Sequence, residues 1–171
     1  MIQKRPSYND FNEYYKKYID LVEENDIIGQ LKYGLSRNIQ FFGEIDTDKW
    51  NYRYAENKWS IKEVLQHIID TERVMSYRAL RVARNDQTEM PGFDQDDFIK
   101  NVNLDDRSEK DIIDEYFAVR KATIALFNGL EENAWERRGI ASQSPVTPLS
   151  LAFIIAGHEL HHIDVIRKNY L

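Results

Sequence analysis

The chain has 171 residues and no cysteine, which excludes disulfides, cysteine-ligated zinc, iron–sulfur clusters and thiolate nucleophiles. Hydrophobic residues make up 42% and charged residues 30%, with seven Gly and four Pro, so the composition is that of one folded domain spanning 1–171. A net charge of −6 and a pI of about 5.3 argue against nucleic acid or an anionic membrane as partner.

The start, MIQKRPSYND, lacks the apolar core of a signal peptide, and no continuous apolar run approaches a membrane span. A cytoplasmic protein is the resulting expectation. Apolar periodicity is helical along most of the chain, with no convincing strand and no internal repeat. Residues 8–22 form a Tyr-rich opening segment read as a short helix. The first long helix is expected over about 26–45, capped by Asn25 or Asp26 and turning Ile27, Leu31, Leu35, Phe42 and Ile45 inward. A polar connector from Asp46 to Lys58 follows, interrupted only by Trp50, Tyr52 and Tyr54.

Ser60 and Glu63 form an S-x-x-E capping box that opens a second helix over about 60–84, with Trp59 placed to staple against its first turn. The stretch 85–107 then reads as a long loop between helices two and three. Connections of that length are uncommon in compact domains and are often functional, an acidic surface loop being the plainer account. Ser108 begins a third helix to about residue 130, with Ile112, Tyr116, Val119, Thr123, Leu126 and Phe127 inward. After a connector over 131–146, Thr147 and Pro148 open a fourth helix that ends near residue 168. Four long amphipathic helices define an all-α four-helix bundle.

The strongest chemical signal is the clustering of three of the four histidines in GHELHH. On a helical wheel His158 and His162 fall inside the stripe of Leu151, Ile154, Ile155, Val165 and Ile166, whereas His161 lies about 80° from its centre, at the edge. Two neutral imidazoles one turn apart can chelate a divalent metal; without one, each buried ring needs another hydrogen-bond partner. His67 flanks the apolar arc of the second helix (Ile61, Leu65, Ile68, Met75, Val82), a placement that suits either a cleft edge or the surface. It is also the only histidine left to complete a trio, and three ligands leave a position open for water or substrate.

HELHH also matches the H-E-x-x-H motif, with Glu159 as a base. Too little chain follows His162 for the third zincin ligand, however, and a solvated Glu159 is the simpler reading. Glu159 precedes His162 by three residues, but Val64 stands three before His67, so the second Glu-x-x-His of the di-iron carboxylate pattern is missing. Glu72 lies near the centre of its apolar arc and needs a cation such as Arg120, or else it accepts an imidazole N–H. Asp70 could orient the His67 ring or lie exposed. Arg78, on the His67 face, could meet an anionic substrate or form a surface salt bridge.

Taken together, KWSIKEVLQHIIDTERVMSYRALRVARND, PGFDQDDF, AVRKATIALF and IIAGHELHHIDVI resemble the DinB-like superfamily of bacterial metal-binding bundles. The likeness is greatest to members related to bacillithiol transferases and covers Tyr8 to Leu171. It implies a four-helix bundle, commonly a homodimer, whose ligands His67, His158 and His162 hold a divalent metal at one end, often nickel or zinc. It further implies activation of a low-molecular-weight thiol, or of water, for attack on a small electrophilic substrate. Iron and manganese also suit three imidazoles. A non-catalytic metal- or small-molecule-binding protein is the alternative, with a dimerising bundle whose histidines are structural as a third reading.

Overall fold

The computed structural model describes residues 4–171, so an expectation resting on the first three residues lies outside them. After 3-10 turns at Tyr8–Asp10 and Glu13–Tyr15 come α1 (Lys16–Ile19), α2 (Ile27–Gly43), a 3-10 turn at Thr47–Lys49, and α3 (Ile61–Ala83). Then follow α4 (Gln95–Lys100), α5 (Glu109–Asn128), a 3-10 turn at Glu132–Glu136, strands β1 (Gly139–Ala141) and β2 (Ser144–Val146), and α6 (Pro148–Asn169). The four long helices α2, α3, α5 and α6 form the bundle.

Each long helix starts where a side chain can satisfy its free backbone N–H groups. Asp26 accepts from Gly29 N at 3.0 Å to open α2. The predicted box closes at α3, with Ser60 N donating to Glu63 Oε2 at 2.6 Å and Glu63 N to Ser60 Oγ at 3.3 Å. Ser108 with Asp111 and Thr147 with Ser150 repeat the arrangement at α5 and α6, and Pro148 fills the first turn of α6.

α6 is the central helix. It packs against α3, α1 and α2, and every residue from Pro148 to Glu159 is buried. It is also long and apolar enough to meet a length-and-composition test for a membrane span, which corrects the expectation that no segment approaches one. With 72% of its most apolar stretch buried in the bundle, it is accounted for as a core helix.

Three further features depart from the sequence expectation. The opening segment is two 3-10 turns and a single turn of α-helix rather than one short helix. Residues 85–107 contain α4, so this stretch is only partly loop. The 131–146 connector contains an antiparallel hairpin where no strand was expected. Its turn residues, Ser142 and Gln143, have φ of 51° and 60°, the left-handed geometry of a tight two-residue hairpin turn without its usual Asn-Gly signal. The hairpin is tied to the segment after α3: Met90 N donates to Ile140 O at 3.0 Å and Ser142 N to Met90 O at 2.9 Å.

Candidate metal centre

α3 contributes His67 and α6 contributes His158 and His162. Nε2 of His158 lies 2.9 Å from Nε2 of His67 and 3.1 Å from Nε2 of His162. One ligand atom from each of the three residues lies within 4.8 Å of the others. No carboxylate and no fourth imidazole joins this group among the described residues.

Hydrogen bonding alone cannot satisfy this meeting of nitrogens. A neutral imidazole nitrogen has either one N–H or one lone pair, so His158 Nε2 can form one good bond but faces two neighbours. A cation accepts all three lone pairs at once, and tetrahedral ligation at about 2.1 Å sets nitrogens roughly 3.4 Å apart, a small expansion of the spacing here.

Electrostatics presents the rings in the form a metal needs. Burial, followed by the neighbouring His161, lowers His67 from 6.5 to about 4. Burial, with His67 next, lowers His162 from 6.5 to about 2. His158 is held well below the ordinary histidine value by burial and by the other two rings. All three are therefore neutral near pH 7.

His67 is only 3% exposed, which corrects its expected placement on a solvent-open flank. The reason is Trp59, whose ring lies 4.8 Å from the imidazole and covers it, rather than only stapling the helix start. On the other ring nitrogen, Thr71 Oγ1 approaches His67 Nδ1 at 3.4 Å. Thr71 sits one turn after His67, so the i,i+4 spacing was a signal available in the sequence. Tyr18 of α1 meets both His158 and His161 edge-on, with ring centroids 5.3 Å apart in each case. His161 remains half-buried at the bundle edge and outside the trio, as the wheel indicates.

The remaining candidates fall elsewhere. Asp70 accepts from Gln66 Nε2 at 3.0 Å and lies 3.5 Å from Arg73 Nη1; it makes no hydrogen bond to His67. Glu72 receives Arg120 Nε at 2.8 Å and Nη2 at 2.8 Å, which is the predicted pair. Glu159 is neither solvated nor turned to the trio. Its Oε2 accepts from Arg120 Nη2 at 2.6 Å and from the Tyr116 hydroxyl at 2.6 Å. The wheel misplaces it because α6 is enclosed on nearly all sides. Gly34 of α2 makes the space, since a Cβ there would lie 2.6 Å from Glu159 Oε1. Arg78 is buried rather than engaged in a surface salt bridge; its Nη2 donates to Pro91 O at 2.7 Å and to Ser142 Oγ at 3.0 Å.

A cavity of about 350 Å³ is lined by His158 together with Tyr15, Tyr18, Thr71, Met75 and Phe93. The tyrosines come from the opening segment and Phe93 from the 85–107 stretch, so the two least regular parts of the chain form the walls beside the histidines.

A helical bundle with three imidazoles converging from two of its long helices, beside a side cavity, is the class these features define. The chain belongs to the DinB superfamily, whose sequence model matches residues 30–166. No curated protein matches the chain in sequence. Among solved structures it is similar to YfiT from Bacillus subtilis, with a TM-score of 0.62 and 15% identity, over 97% of this chain and 93% of that one. YfiT is described as a probable metal-dependent hydrolase with an unusual four-helix bundle topology, and the likeness extends to the fold.

Proposed function

We propose that His67, His158 and His162 hold one divalent metal ion, and that the chain is an enzyme in which water or a low-molecular-weight thiol attacks a small electrophile. The carrying observation is the convergence of three Nε2 atoms that their own protons cannot satisfy. A divalent ion on three imidazoles supplies Lewis acidity and makes a water or thiol acidic near neutral pH. The chain has no cysteine, so a thiol nucleophile would come from solution.

The chain's own residues bind and shape. Thr71 fixes the tilt of the His67 ring, Trp59 keeps water from it, and Tyr18 limits the approach to His158. Nickel and zinc are the expected ions, with iron and manganese compatible with the same donors. The description of YfiT favours water as nucleophile, whereas the sequence likeness to bacillithiol-transferase relatives favours a thiol.

Elemental analysis of untagged protein is the test. Near-stoichiometric metal in the wild type and in His161→Ala, lost in His67→Ala, His158→Ala and His162→Ala, is expected. Retention of metal by all three ligand variants would overturn the assignment. Turnover of activated esters, and of electrophiles with added thiols, then separates hydrolysis from transfer.

A further inference from the structure

The molecule contains two deeply buried arginines with opposite surroundings. Arg120 is fully enclosed and meets two carboxylates, Glu72 and Glu159. Arg78, 3% exposed, pairs with no carboxylate among the described residues. A guanidinium stays protonated even when buried, so a charge without a counter-ion is costly unless an anion arrives to offset it. Nη2 of Arg78 is used by Pro91 O and Ser142 Oγ, and Nη1 meets the Met75 thioether at 3.7 Å, a weak acceptor. The Tyr15 hydroxyl and the Phe93 ring lie beside the guanidinium, and none of these groups carries a full negative charge.

Arg78 faces a cavity of about 170 Å³ that it lines with Tyr15, Met75, Ser142, Val146 and Leu151. Tyr14, Tyr15 and Met75 also line the 350 Å³ cavity that reaches Thr71 and His158, so the two spaces adjoin. His67, Thr71, Met75 and Arg78 run down one side of α3. Arg78 follows His67 by eleven residues, a rise of about 16 Å and a rotation of about 20°. The Arg78–Met75 contact shows the side chain leaning toward the start of the helix, on the side where the histidines lie. Tyr14, Tyr15 and Met75, which line both cavities, give the passage between the two ends an apolar side, while Asp94, Gln95 and Asp96 make the larger cavity polar on another. Asp94 and Asp96, at the larger cavity, leave Arg78 as the cationic end.

We propose that Arg78 binds the carboxylate of an elongated small molecule whose reacting group lies at the histidine trio, with an apolar spacer between the two. This specificity rests on the metal-centre reading above and names the substrate class for it. The hairpin turn is part of the device. Ser142 holds a left-handed backbone conformation unusual for a non-glycine residue, and its hydroxyl is one of the atoms that fixes the guanidinium.

The test compares two chelators by calorimetry on nickel-loaded protein: suberic acid monohydroxamate, with a terminal carboxylate, and octanoyl hydroxamic acid, which lacks it. Wild type is expected to bind the carboxylated probe about tenfold more tightly, the scale of one charge-assisted hydrogen bond. In Arg78→Met the difference disappears while octanoyl hydroxamate binds as before, which also shows that the variant is folded. Arg78→Lys retains charge without the planar fork and is expected to keep part of the difference, deciding the matter if Arg78→Met does not fold. Equal affinities in the wild type overturn the proposal. Suberate alone, tested on metal-free protein, separates the two readings. If neither hydroxamate binds but suberate still raises the Tm of wild type and not of Arg78→Met, the metal centre falls and the carboxylate site stands. If suberate raises neither and the hydroxamates do not differ, the carboxylate site falls.

Discussion

The backbone of Tyr18 runs so close to Gly157 that a Cβ added at the glycine would overlap the Tyr18 carbonyl and sit 3.1 Å from its Cα. This crossing of α1 over α6 sets Tyr18 against His158, the residue after the glycine.

Gly157→Ala is therefore expected to push α1 off α6, because backbone cannot yield as a flexible side-chain tip can. Overpacking of this kind costs about 1–3 kcal/mol or more. A lower urea midpoint, together with faster proteolysis within residues 8–22, is the expected outcome. The same variant should bind metal less tightly while keeping all three ligands. An unchanged midpoint and unchanged affinity would show that the crossing contributes nothing.

The buried cluster of Glu72, Arg120, Glu159 and Tyr116 makes a second, separable prediction. Arg120 is 0% exposed and bonds both carboxylates, so Arg120→Met leaves two buried acids facing one another. Removing one member of a buried ion pair typically costs about 3–5 kcal/mol. Chemical denaturation should show a loss of that order. Metal content measured at low temperature should persist, since no trio ring bonds to this cluster among the described residues. Loss of metal from a folded Arg120→Met protein would instead place the cluster in the service of the metal site.

The four long helices were legible because each begins at a side-chain cap and carries an apolar face, and their observed ends fall within about two residues of those expected. His158 and His162 were legible for the same reason, being one turn apart on a helix. The burial of His67 was not, since its cover is Trp59, which lies before the helix and outside its periodicity. Glu159 was misplaced because a wheel assumes one wet face and α6 has almost none. The hairpin was hidden by strands of three residues, too short to show alternation, and by a Ser-Gln turn. The contacts of Tyr18 and the surroundings of Arg78 depend on chain crossings that local patterns do not encode.

The suppressed basicity of the trio fixes the pH dependence of the metal-free protein. Histidine in the unfolded chain takes up a proton near pH 6.5, whereas folded His67 does so only near pH 4 and folded His162 near pH 2. Between about 6.5 and 4 the unfolded state thus binds more protons than the folded state, and stability falls as pH falls. Above that window both states are neutral at these rings and the effect vanishes. Each proton withheld contributes a slope of roughly 1.4 kcal/mol per pH unit. Urea titrations of metal-free protein at pH 7.5, 6.0 and 5.0 should show a progressive loss, shallower in His67→Gln because one titrating ring has been removed. If the trio holds a metal as proposed, added metal is expected to raise the stability at pH 7.5 and to make the acid loss steeper, since protons then compete with the ion for the same lone pairs. Stability flat from pH 7.5 to 5.0 in the metal-free protein would mean that the rings are not held neutral by burial, and the electrostatic account of the site would fail with it.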